Sequence, residues 1–175
     1  DWYKALAAEH FVDGALVPNP FNTWDEVNLA FPAQPIVTYI PGTKHGTREV
    51  FEEKVLLAGC KDGGFLKAME DAGVDEDTAE GKCMAVRTDG KSVDIEGDYT
   101  ETLARIDSNK DGIVVYGLAF YANNTDKLQV ATMSCVVKTT EGISTGKYPV
   151  SRPLFFYIKQ AHIGVISGIK EFAEF

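Results

Sequence analysis

The sequence predicts an α/β domain with a mixed, mostly parallel sheet flanked by helices. Three observations predict it. Short β-branched runs, such as Ile36–Ile40 and Gly112–Tyr116, alternate along the chain with helix-like segments. The stretch IVTYIPGTKHGTREVF at 36–51 passes from an apolar run through a Pro-Gly loop into an amphipathic helix. The 175 residues, 45% hydrophobic and 25% charged, suit one ordinary globular core.

The elements follow in order. Trp2 to His10 reads as a helix, and Pro18-Asn19-Pro20 breaks the chain. Asn22-Thr23-Trp24-Asp25-Glu26 supplies N-cap chemistry for a short helix that stops before Pro32. Ile36–Ile40 is a buried strand. Arg48 to Ala58 is a helix that turns Val50, Phe51, Val55 and Leu56 inward, and Gly64 to Ala72 is a second. Residues 74–82 are acidic and expected to be exposed. Tyr99 to Ile106 reads as a helix, Gly112 to Tyr116 as a strand, Leu128 to Val137 as an interrupted strand, and Thr140 to Thr145 as a helical turn. Pro153 to Lys159 is expected as a strand, and Ser167 to Phe175 as the start of a helix. No internal repeat or low-complexity linker is present.

Composition excludes several classes. A net charge of −9 argues against nucleic acid, which requires a basic face, but not against a small anion held by local donors. No apolar run approaches the roughly 18 residues of a membrane span. The chain opens DWYKALAAEH in a helical pattern without Met or a signal sequence. It closes GIKEFAEF inside another helix, so it reads as a piece of a longer protein. Cys60 and Cys83 flank a polar, Gly-rich stretch. They are either a disulfide, which would leave Cys135 over, or two of three reduced thiols, and spacing alone does not choose. No CxxC occurs, and His10, His45 and His162 have no zinc spacing; no cofactor is expected.

The most informative chemistry lies in the loop at 42–48. The first turn of a helix presents unpaired N–H groups at the positive end of its dipole, which suits an oxyanion. Gly46 permits close approach, Thr47 adds a hydroxyl, and Arg48 adds a planar charged fork. The same pattern serves as a plain turn in many α/β proteins. It is not a nucleotide P-loop, because only three residues separate Gly42 from Gly46 and no Gly-Lys-Ser/Thr follows. Asp107–Gly112 matches the first half of a calcium loop, but position twelve is Leu118 where a bidentate Glu is needed, so it reads as a polar turn. His45 has no partnered nucleophile nearby in sequence. Arg152, in the rigid run Tyr148–Pro153, reads as a structural ion-pair residue before an anion contact.

Across nearly its full length the chain resembles the periplasmic phosphate-binding proteins of ABC phosphate transporters. The matching segments, in order, are YKALA, NPFNTWDEV, IVTYIPGTKHGTREVFEEKVLLAGC, DGIVVYGLAFYANNTDKL and TGKYPVSRPLFFYIKQAHIGVI, with YPVSRPLF the most specific. The resemblance implies a three-layer lobe of a type II periplasmic-binding-protein fold. Residues 1–150 would form the second of two lobes, and residues 151–175 a strand and helix returning to the first. It implies capture of inorganic phosphate in the periplasm and delivery to a membrane permease, without catalysis. Phosphate would be held by His45, Gly46, Thr47 and Arg48. The family's Ser-Gly-Thr-Arg carries over onto the last three, while its serine falls on His45. Glu49, Glu52 and Asp98 are the candidates to orient Arg48. The alternatives are another oxyanion, or an enzyme of phosphatase type using His45 and Arg48. Phe155, Phe156, Ile158, Phe172 and Phe175 would lack their usual cover, which predicts self-association through 154–175.

Overall fold

A computed structural model describes residues 1–153 and 155–174. Its centre is a three-stranded parallel sheet in the order β4-β3-β5, made of β3 (Thr38–Pro41), β4 (Ser92–Ile95) and β5 (Ile113–Val114). Thr38 faces Ser92 on one side and Ile113 on the other. Parallel strands need crossovers, and helices supply them. All four residues of β3 are buried, which is why that run shows no alternation of apolar with charged residues.

The antiparallel part of the fold is a separate hairpin, β1 (Glu9–Val12) with β2 (Ala15–Pro18). Its two-residue turn places Asp13 and Gly14 at φ 50° and 84°, the left-handed pair that suits a tight hairpin. The expected helix Trp2–His10 is corrected by this hairpin. Helix α1 (Trp2–Leu6) ends early, and His10 belongs to a strand. The helix α2 (Trp24–Val27) starts after the Thr23 N-cap, with Glu26 Oε2 accepting from the Thr23 N–H at 3.2 Å.

After β3 the chain is helical from α3 (Gly46–Phe51) through a π-helical stretch, Glu52–Leu57, into α4 (Ala58–Asp62). Then come α5 (Phe65–Asp71) and α6 (Glu76–Met84). The acidic stretch 74–82 is therefore a helix. Asp75 caps it by accepting from the Thr78 N–H at 3.0 Å, and it buries Ala79 and Cys83. Cys60 and Cys83 are joined by a disulfide between α4 and α6, with Cα atoms 5.7 Å apart; Cys135 is free and exposed.

Two apolar clusters meet at α1. Ala5 and Leu6 pack with Trp24, Ile36, Ile40, Phe51 and Leu56. Tyr3 and Ala7 pack with the disulfide, Leu66, Met69 and Ala79. Arg87, 3% exposed, ties these parts together: its Nη1 donates to the carbonyls of Ala5 and Phe21, both at 2.9 Å, while Asp89 takes up its charge.

The remaining helices are α7 (Tyr99–Ser108), α8 (Leu118–Ala122), α9 (Thr140–Ser144) and α10 (Ile169–Glu174). Leu128–Val137, expected as a strand, is irregular and turns back on itself at Ser134 and Cys135, both at positive φ. The strand expected at Pro153–Lys159 makes no ladder at the described residues, and its Leu154 lies outside them, as does Phe175. Both runs have strand-like composition, but neither joins a ladder among the described residues. Among the described residues, no helix is long and apolar enough to cross a membrane.

Candidate functional site

The chain leaves β3, runs to one side to β4, and then crosses to the other side to β5. The carboxyl ends of these strands therefore meet at a topological switch point, the usual ligand crevice of an open α/β sheet. Three loops converge there: Gly42–His45 after β3, Glu96–Asp98 after β4, and Val115–Gly117 after β5. His45, Gly46, Thr47 and Arg48 all lie on the first loop and the start of α3.

His45 is the N-cap of α3, and its N–H donates to the Gly42 carbonyl at 3.0 Å. Its ring Nε2 lies 3.1 Å from the Gly97 carbonyl, so Nε2 carries a proton and donates. The ring also stacks on Tyr99 with centroids 5.8 Å apart. His45 thus clamps the β3 loop to the β4 loop. Thr47 Oγ1 lies 2.9 Å from the Tyr99 hydroxyl. The N–H of Arg48 donates to the His45 carbonyl at 2.8 Å. The N–H groups of Gly46 and Thr47 have no acceptor among the described residues, as expected for the first turn of a helix.

The Arg48 side chain is buried beneath the loop. Nε donates to Glu52 at 2.6 Å, and Nη1 donates to Asp94 at 2.7 Å and to the Pro41 carbonyl at 3.1 Å. Burial alone would lower its pKa; the hydrogen bonds to Glu52 and Asp94 outweigh that and raise it. Of the three carboxylates expected to orient Arg48, Glu52 does so. Asp98 instead caps α7, accepting from the Thr100 N–H at 2.9 Å. Glu49 faces Arg152 at 3.6 Å. Asp94, the second partner, was not foreseen, because SVDI at 92–95 was not read as a strand; its alternation was the available signal.

Two glycines leave room for the ends of long side chains. A Cβ on Gly42 would sit 2.7 Å from the Glu96 carboxylate, and one on Gly46 would sit 2.8 Å from Arg152 Nη2. Tyr99, Tyr116 and Phe120 form an aromatic wall beside Thr47, with Tyr99 and Tyr116 edge to face at 5.4 Å. The Tyr116 hydroxyl is buried without a hydrogen-bond partner among the described residues, and burial pushes its pKa up to about 12. Thr47, Tyr116, Tyr148 and Arg152 line a cleft of about 1240 Å³ that opens beside the loop. The polar turn Asp107–Gly112 lies at the other end of the sheet, at the end of α7. No metal-binding group of His, Cys, Asp and Glu occurs there or elsewhere among the described residues.

A parallel sheet with its loops at a switch point is the architecture in which open α/β sheets commonly hold a small ligand. The chain belongs to the PBP superfamily: the model of the PBP superfamily domain matches residues 1–175. Among its relatives, the phosphate-binding protein PstS of Staphylococcus haemolyticus is 30% identical over 158 residues, which cover 87% of this chain and 40% of that protein. The phosphate-binding protein PstS of Staphylococcus epidermidis is 27% identical over 180 residues, all of this chain and 46% of that protein. The chain thus spans less than half the length of these relatives. The crystal structure of a possible phosphate binding protein from Planctomyces limnophilus shares the fold at a TM-score of 0.51 and 20% identity, covering 83% of this chain and 40% of that one.

Proposed function

We propose that this chain is one lobe of a two-lobe phosphate-binding protein that captures inorganic phosphate and delivers it to the permease of an ABC transporter. Residues 1–150 would form the lobe, and residues 151–175 the segment that returns to its companion. The observation that carries the reading is the pair of unpartnered N–H groups on Gly46 and Thr47, beside the Thr47 hydroxyl, at the switch point of the sheet. Gly46 and Thr47 bind directly; His45 and Arg48 hold the loop in shape. The distant kinship to phosphate-binding proteins supports phosphate as the ligand.

The role is binding, not turnover. The His45 ring donates from Nε2 to the Gly97 carbonyl and stacks on Tyr99, which suits a clamp between the two loops. The Cys60–Cys83 disulfide favours an oxidising compartment, and we place the protein outside the cytoplasmic membrane, as the periplasmic assignment implied.

Isothermal titration of the full-length protein with phosphate and with sulfate tests the reading. Saturable, phosphate-selective heat is expected, with weak or no binding by residues 1–175 alone. The absence of phosphate binding by the full-length protein would refute it.

A further inference from the structure

Arg48 is the arginine that the loop sequence offers to an anion, but its charge is already compensated. Glu52 and Asp94 both accept hydrogen bonds from it, and the Pro41 carbonyl accepts a third. Two carboxylates on one guanidinium leave a net negative charge, which would repel a phosphate group. A second arginine lies on the open side of the loop. Arg152 Nη2 occupies the space that a side chain on Gly46 would need, 2.8 Å from the position of its Cβ. Its own carboxylate neighbour is more distant: Nη1 is 3.6 Å from Glu49 Oε2, beyond hydrogen-bond range. Its side chain is 42% exposed, whereas that of Arg48 is 8% exposed.

The chain also fixes Arg152 in place. The Tyr148 N–H donates to the Gly142 carbonyl at 2.9 Å, at the end of α9. Both the N–H and the hydroxyl of Ser151 donate to the Tyr148 carbonyl, at 3.0 and 2.7 Å. Pro149 and Pro153 stiffen both flanks. Arg152, Ser151 and Thr47 line the same cleft. Lys44 is exposed on the same loop, but Arg152 is the cation seated on the Gly46 backbone.

We infer that Arg152, not Arg48, is the cation that meets a phosphate group held at Gly46 and Thr47, and that Gly46 is a glycine partly to leave room for its guanidinium. This assignment rests on the phosphate reading of the loop. Arg48 is then a positioning residue that holds the loop from beneath.

The test is isothermal titration of the full-length protein with inorganic phosphate, alongside thermal melts, for wild type, Arg152→Gln, Arg152→Lys and Gly46→Ala. A charge-assisted hydrogen bond predicts roughly a tenfold or greater affinity loss in Arg152→Gln. The Gln variant should melt near wild type and bind with less salt dependence, and Arg152→Lys should recover part of the loss. In Gly46→Ala the new methyl displaces only the far end of a flexible side chain, so binding falls while the melt holds. If Arg152→Gln does not fold, Arg152→Lys carries the test through its partial loss of affinity. Wild-type binding of phosphate with the folded Arg152 variant within twofold of it overturns the assignment, whatever Gly46→Ala does. A wild type that binds no phosphate overturns the phosphate reading itself, and this assignment with it.

Discussion

Arg48 and His45 separate what a motif says from what a side chain does. The sequence locates both in the loop that follows β3. It cannot show that Arg48 points under the loop, because that depends on Asp94 from a strand forty-six residues away. Replacing Arg48 with Met leaves Glu52 and Asp94 without their cation. Both carboxylates are partly solvated, so a loss of about 2–3 kcal/mol is expected in urea unfolding. An unchanged midpoint would show that the ion pairs contribute nothing.

His10 carries a pH dependence. It is 4% exposed among Tyr3, Phe21 and Phe65, and its Nε2 donates to the Lys4 carbonyl at 3.0 Å. Burial lowers its pKa most, the hydrogen bond to Lys4 opposes that, and Arg87 adds repulsion. The unfolded chain therefore takes up a proton at higher pH than the folded one. The stabilising contribution of neutral His10 is complete above about pH 6.5 and is lost as pH falls toward the depressed folded value. Unfolding free energy should decline on acidification through that window, and His10→Gln should flatten the decline. Equal slopes for the two proteins would remove His10 as the cause.

At the scale of elements, the long periodic segments were legible. The helices after Gly46, Gly64 and Asp98 lie where their apolar spacing places them. The elements that went unread are short and depend on tertiary partners. The hairpin Glu9–Pro18 was hidden because AAEHF continues a helical pattern, although Asp13-Gly14 was a visible turn signal. The π-helical stretch Glu52–Leu57 has no sequence signature that distinguishes it from an α-helix. The helix at 76–84 reads in sequence only as an acidic, exposed stretch because its buried face is only Ala79 and Cys83. Those two residues matter through the disulfide, which closes a loop with a sequence separation of 23. Chain-entropy reasoning gives it about 3 kcal/mol, so Cys60→Ala/Cys83→Ala should lose that much in urea unfolding. A double variant as stable as the parent would mean that α4 and α6 are held by packing alone.

At the scale of the whole molecule, apolar residues accumulate at the end of the chain. Phe155, Phe156, Tyr157, Val165 and Phe172 are 63–91% exposed, and Phe156 meets Phe172 edge to face at 6.5 Å. An apolar surface of that kind on a chain less than half the length of its relatives predicts association of residues 1–175 at high concentration. Light scattering should show a mass that rises with concentration, and Phe155→Ser/Phe156→Ser should suppress the rise. A clean monomer throughout would contradict the expectation.

The central claim is that a phosphate group is held by the N–H groups of Gly46 and Thr47. It is tested most directly by recording amide ¹H–¹⁵N spectra of the labelled full-length protein during titration with phosphate, with sulfate as control. The account predicts that the Gly46 and Thr47 amide protons move downfield and saturate together with phosphate, as strong hydrogen bonds form to an oxyanion. Phosphate saturation that shifts other amides while these two stay fixed would contradict it.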